Sequence, residues 1–220
     1  MFFPPLIFLF ILCFFFIWLF LFGFIHLGLI GYAFQKIGIP PDYMMSLLLF
    51  CLFGSFINIP IKKISTTRLI EGEIVSFWGL RFRIPIYKKG YTILAINLGG
   101  AVIPVLISMY LIFHFGQYFR TIIAIAIVAF VTYRFARPMP GVGITVPIFI
   151  PPITAALVSI ILTSNVPALA YISGTLGTLI GADLMNLDKI RGLQAPIVSI
   201  GGAGTFDGVF FTGILAVLLA

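Results

Sequence analysis

Acidic residues are scarce in this chain: six, against thirteen lysines and arginines in 220 residues. Charged residues make up 9% and hydrophobic ones 61%, whereas soluble proteins carry about 25% charge. A soluble domain is thereby excluded, as the mean hydropathy of +1.22 also requires. Cysteine is nearly absent. Cys13 and Cys51 each lie in apolar runs with no second cysteine or histidine at ligand spacing, which excludes a disulfide framework and a zinc site. The two histidines, His26 and His114, are far apart and equally surrounded by apolar residues. Neither a metal nor a cofactor is expected. The net charge of +7 does not argue for nucleic acid, because the basic residues are spread over connections instead of gathered on one folded face. Their use is topological.

What is present is long apolar sequence, with 25 phenylalanines. A helix needs about 20 apolar residues to cross the hydrocarbon, so a chain of this length supplies about seven spans with short connections. The expectation is an all-α integral membrane protein: one transmembrane bundle over residues 1–220, about seven helices, several of them broken, and a small cytoplasmic β-hairpin. The spans are read at about 6–34, 44–60, 91–115, 119–134, 144–164, 167–185 and 197 onward. The run from Leu6 to Phe34 is too long for a signal-peptide core and is read as the first span.

Charge orients such a bundle. The connections after the second, fourth and sixth spans hold Lys62, Lys63, Arg68, Arg81, Arg83, Lys88, Lys89, Arg134, Arg137, Lys189 and Arg191, whereas the opposite side has Lys36 and Arg120. The positive-inside rule puts the larger group, and the N-terminus, in the cytoplasm. A prokaryotic plasma membrane fits the absence of cysteine pairs. In the longest connection, 61–90, Trp78-Gly79 between two short apolar runs predicts a β-hairpin that Pro85 ends or confines to an edge. It reads either as a cap at the headgroups or as an edge strand open to pairing with a substrate segment.

Several spans carry helix breakers. Asn97-Leu-Gly-Gly100 and Pro104 interrupt the third; Pro138, Pro140, Pro147, Pro151 and Pro152 crowd the fifth; Pro167 opens the sixth; Gly201, Gly202 and Gly204 loosen the seventh. Irregular backbone at membrane depth survives only where it is buried in protein or lines a wet cavity. Glycine pairs such as Gly177 and Gly181, or Gly204 and Gly208, also serve simple close packing of helices. On a regular helix Asp183 falls nearly opposite the Gly177–Gly181 face, so the sixth span either unwinds near Gly181 or turns its glycines to a different neighbour.

Two of the six acids lie inside apolar sequence: Asp183 in Gly-Thr-Leu-Ile-Gly-Ala-Asp-Leu (177–184) and Asp207 in Gly-Gly-Ala-Gly-Thr-Phe-Asp-Gly (201–208). A carboxylate in hydrocarbon is expensive and marks a functional site. The sixth and seventh spans are consecutive and antiparallel, hence neighbours. Two close carboxylates without a cation share a proton, one pKa rising and the other falling, the arrangement that activates water for amide hydrolysis.

The stretch from about Ile144 onward, with these two motifs, resembles a prokaryotic multi-pass membrane family catalogued as a domain of unknown function. More distantly, Gly204-Thr-Phe-Asp207 resembles the Gly-x-Gly-Asp motif of presenilin-type intramembrane aspartyl proteases, which pair it with an aspartate on the preceding helix. That resemblance implies catalytic Asp207 and Asp183, with Gly204, Phe206 and Gly208 shaping the backbone that receives substrate. Phe206 stands where the motif has its second glycine, and Pro167-Ala168-Leu169 precedes both aspartates instead of following them. Asn186 joins the expected substrate-binding set.

Two functions are weighed. One is an intramembrane aspartyl protease acting on an unwound membrane helix. The other is a proton- or cation-coupled transporter or channel using the same aspartates, completed by Asn97, Thr145, Thr175, Thr178, Asn186 and Thr205. A structural role, with each aspartate bonded to backbone amides across the bundle, stands third. Membrane lipids and a transmembrane-helix substrate are the expected partners.

Overall fold

A computed structural model describes residues 5–70, 74–77, 80–83, 86–140, 143–193, 195–202 and 208–220. Apolar sequence without internal proline makes the first helix, α1 (Pro5–Lys36). Gly38, at φ +82°, turns the chain, and Pro40-Pro41 starts α2 (Pro41–Gly54). The end of α1 and α2 meet at 117°.

The chain then leaves helix for sheet. Strand β1 (Asn58–Ile70) runs antiparallel to β4 (Ile86–Asn97), in register from Asn58 opposite Asn97 to Ile70 opposite Ile86. The register shifts once, between Pro60 and Lys62, as a proline without an N–H requires. At the tip, β2 (Ile74–Phe77) pairs with β3 (Leu80–Arg83), Phe77 opposite Leu80. The strands expected around Trp78-Gly79 are therefore present; Trp78, Gly79 and Pro85 themselves lie outside the described residues.

From Asn97 the chain enters α3 (Ile103–Phe115) through a π-helical turn, Leu98–Val102. Helix α4 (Tyr118–Phe135) is followed by a short hairpin of β5 (Arg137–Met139) and β6 (Gly143–Thr145). Helix α5 (Ile150–Leu162) carries Pro151 and Pro152 at its N-terminus, and α6 (Val166–Thr178) carries Pro167 there, where a missing N–H is harmless. Helix α6 runs on through a second π turn, Leu179–Asp183, into a 3₁₀ segment, Leu184–Gly192. Strand β7 (Ile197–Ile200) adds parallel to β4, making the order β1-β4-β7, and α7 (Gly208–Leu219) follows.

The expected seven spans are corrected by this arrangement. Each contains a helix, but among the described residues three are long and apolar enough to cross a membrane: Leu98–Phe115, Tyr118–Phe135 and Val166–Ile190. A fourth is gained if the bent α1–α2 pair counts as one span; α5 and α7 are shorter apolar helices. The cause is local. Apolar runs at 91–97 and 197–200, read as helix, are rich in β-branched residues and pair as strands, shortening the third and seventh spans. The fold is thus a membrane-type helical bundle with a three-stranded sheet larger than a hairpin.

Helix α6 is the centre of the bundle, packed against α3, α4, α5 and α7. Tyr171, Ile172, Phe34, Leu48, Leu111 and Val217 meet in the main apolar cluster. A second cluster joins the sheet to the 3₁₀ segment through Leu94, Ile190, Leu193, Ile200 and Val209. The outer faces of α3, α4 and α5 present exposed Phe113, Phe119, Ile122, Phe130 and Ile161, the surface expected against acyl chains.

Candidate functional site around Asp183

The glycine question at the sixth span resolves in both directions. Gly177 and Gly181 pack against α4: a Cβ on Gly177 would lie 2.7 Å from the Val128 side chain, and one on Gly181 would meet the Ala129 carbonyl and lie 2.9 Å from Thr132. The helix also loosens there, since the π turn spans Leu179–Asp183. A π turn inserts one extra residue and leaves backbone groups out of step, a device concentrated at functional sites. Asn186 repairs the damage. Its amide donates to the Gly181 and Ala182 carbonyls, both at 2.9 Å, and its Oδ1 accepts from Lys189 Nζ at 2.6 Å. Asn186, expected to bind substrate, is fully buried in this bracing position and does not line the cavity described below.

The extra residue turns Asp183 out of the α4 interface toward β7. Its Oδ2 accepts the Gly201 N–H at 2.7 Å. Gly201 sits at φ +81°, and a Cβ on it would come within 2.7 Å of the Ala101 nitrogen and 2.8 Å of the Gly100 carbonyl carbon. Only glycine can occupy this position. It presses on the first π turn while bonding to the last residue of the second.

The strand before Gly201 is held by a separate polar network. Asn97 caps the first π turn by accepting from Gly100 N–H at 2.7 Å, and its amide donates to the Ser55 carbonyl at 2.6 Å and to Asn58 Oδ1 at 3.1 Å. The same Asn58 oxygen accepts from Ser199 Oγ of β7 at 2.6 Å. Thr92 Oγ1 donates to the Ala195 carbonyl at 2.9 Å, fixing the entry to β7. Asn58 and Ser199 escaped the sequence reading; their signal was a polar side chain at the end of an apolar run.

Between β6, α5, the second π turn, β7 and α7 lies a cavity of about 280 Å³. Asp183, Thr178, Ser199 and Thr212 are its polar lining, with Pro147 and Pro151 on the α5 side. Gly202 and Gly208 both line it. Asp207, with Gly204, Thr205 and Phe206, falls within residues 203–207, outside the described residues. Of the expected site residues, Asp183 and Gly208 therefore share one cavity wall. Thr145 is placed elsewhere, its hydroxyl donating to the Arg137 carbonyl at 3.2 Å across the β5–β6 hairpin.

The class defined by fold and site is a helical membrane-type protein whose central helix breaks at a carboxylate beside a small sheet. The chain belongs to the family described as protein of unknown function (DUF1614), whose model matches residues 52–219. No curated protein and no solved structure matches it.

Proposed function

We propose that the protein is an intramembrane aspartyl protease using Asp183 and Asp207. The observation that carries the reading is that the Asp183 carboxylate and Gly208, the residue bonded to Asp207, border the same cavity. Strand β7, an edge of the three-stranded sheet, supplies Ile197, Val198 and Ser199 to the cavity. An edge strand offers main-chain hydrogen bonds to an extended peptide and none to an intact helix, which suits a membrane helix unwound at the bond to be cut.

The chemistry is general acid–base hydrolysis. The ionised carboxylate takes one proton from water as its oxygen bonds to the amide carbon. The protonated partner hydrogen-bonds the carbonyl oxygen and then gives its proton to the leaving nitrogen as the C–N bond breaks. One water is consumed, and an acid and an amine are released. The Gly201 N–H, donating to Oδ2, holds Asp183 in place.

The basic residues support a cytoplasmic placement of the sheet end in a plasma membrane, with the N-terminus inside. Lys62 and Lys63 on β1 and Arg137 on β5 belong to strands that both touch the 3₁₀ segment carrying Lys189, whereas Lys36 ends α1 and Arg120 begins α4 at the other side.

The test is cleavage of fluorogenic transmembrane peptides by purified protein in lipid, followed by mass analysis of the products. Wild-type cleavage lost in both Asp183→Asn and Asp207→Asn supports the dyad; cleavage that survives either change rejects it. The transporter reading keeps one favouring observation, the buried Thr178 hydroxyl, which has no partner among the described residues and lines the same cavity as Asp183; it would suit a dehydrated cation. Aspartate-dependent ion flux in proteoliposomes without any cleavage would establish it instead.

A further inference from the structure

The span Val166–Ile190 has 25 residues. At 1.5 Å per residue it is about 37 Å long, against about 30 Å of hydrocarbon. With Val166 at one boundary, its last residues, in the 3₁₀ segment, reach the headgroup layer of the other. Tyr133 marks the same level on α4, with Lys189 Nζ 4.9 Å from the centre of its ring. Tyrosine and lysine are the side chains that anchor helices at that depth. The 3₁₀ segment is two-sided there: Asn186 and Ile190 are buried, whereas Leu184, Met185 and Leu187 are exposed.

Between this segment and β1 lies another cavity, of about 640 Å³. Leu94 and Ile190 form its apolar floor, and both belong to the cluster that joins the sheet to the segment. Its polar lining is Lys62, Lys63 and Ser65 on β1 and Asp188 on the 3₁₀ segment. Because β1 is the outer strand of its sheet, residues of both its faces line the cavity. Neither lysine forms an ion pair with Asp188 or with any other described residue. Opposite charges that share a cavity without closing on each other leave room for a ligand that carries both signs. Lysines on an edge strand also discourage unwanted pairing, but that task requires neither an acid opposite them nor a cavity between.

We propose that this cavity binds the head of a phospholipid carrying a phosphodiester and a primary ammonium, with the phosphate against Lys62 and Lys63 and the ammonium against Asp188. Lysine binds phosphate as a point charge through its three N–H donors. The ligand's ammonium has three donors of its own, which the Asp188 carboxylate and Ser65 Oγ can accept. The acyl chains leave over Leu184, Met185 and Leu187, the exposed aliphatic side chains of the same segment. A purely anionic head satisfies the lysines but sets Asp188 against its own sign. The ammonium–Asp188 contact therefore decides which phospholipid is held. The site uses neither Asp183 nor β7 and stands apart from the protease reading.

The test places the intact protein in nanodiscs of equal phosphatidylethanolamine and phosphatidylglycerol and weighs the lipid it retains by native mass spectrometry. The wild type should retain phosphatidylethanolamine in about threefold excess. Asp188→Asn keeps the shape and removes the charge, so the preference should vanish or reverse while the total retained stays the same. Lys62→Ala with Lys63→Ala should lower retention of both lipids about fivefold. Lys36→Ala, at the other end of the bundle, should change neither. A wild type that holds the two lipids in the ratio supplied overturns the proposal, and so does a preference that survives Asp188→Asn. Equal loss from Lys36→Ala and from the Lys62 and Lys63 pair also overturns it, since binding would then follow overall charge. The wild-type ratio and the isosteric Asp188→Asn decide the matter even if the double lysine variant does not fold.

Discussion

Helices α4 and α6 have comparable apolar composition, yet they are different objects. Of the α4 residues 28% are buried, against 72% in the 18-residue apolar window of the α6 span. Helix α4 is regular from Tyr118 to Phe135, and the Thr121 hydroxyl near its start folds back on its own backbone. Helix α6 gives way to a π turn and then to 3₁₀, with Ser173, Thr175 and Thr178 inside protein and not bonded back. Lipid cannot satisfy a broken backbone, whereas neighbouring protein can. Of the three long spans, the most buried one holds the π-to-3₁₀ break, and that is where the carboxylate sits.

The sharpest way to break this contrast is to remove the charge at its centre. Asp183→Asn keeps an oxygen that can accept from Gly201, so the melting temperature should stay within a few degrees while peptide cleavage falls about 10³-fold. Activity unchanged by this variant would make Asp183 a bracing residue. Gly181→Val drives a side chain into the Ala129 carbonyl and should destabilise by about 3 kcal/mol in a denaturant titration. The lipid-facing control on α4, Ile122→Ala, should stay within about 0.5 kcal/mol. Asn186→Ala strips the amide from two carbonyls and the acceptor from Lys189, and an effect of about 2 kcal/mol is expected. Its thermal shift measures how much of the π turn's stability comes from that one side chain. The smallest effects should differ in sign. Ser173→Ala removes a buried, unpaired hydroxyl and should stabilise by about 1 kcal/mol, while Thr121→Val loses a back-bond and should destabilise by roughly 0.5 kcal/mol.

Hydropathy located the seven α-helices of the described residues, though not the 3₁₀ segment Leu184–Gly192, because a helix satisfies its own backbone and its cause lies in a continuous stretch of residues. The proline-opened starts of α5 and α6 and the break at Asn97 were legible for the same reason: each acts on the residues beside it. The strands were legible in β2 and β3, where Phe77 pairs with Leu80, and not where β4 pairs with β7. Tyr91–Asn97 and Ile197–Ile200 are short apolar runs, which periodicity does not separate from buried helix. Their pairing joins residues far apart in sequence. Asp183 was found by the cost of burying an acid, and unwinding near Gly181 was one of two readings of the helical wheel. The particular bond to Gly201 and the bracing by Asn186 were not legible, because they depend on where the π turn aims each side chain.

The parallel pairing of Ile93–Ile96 with Ile197–Ile200 also sets an order of assembly. Synthesis runs from the N-terminus, so β1, β4 and the helices through α6 exist before β7 is made. Long-range pairing waits for its later partner. Until β7 docks, Gly201 has not reached Asp183, Ser199 has not reached Asn58, and one wall of the cavity is missing. The emerging chain thus carries its carboxylate without a formed cavity around it until the last strand, and α7 after it, close the walls.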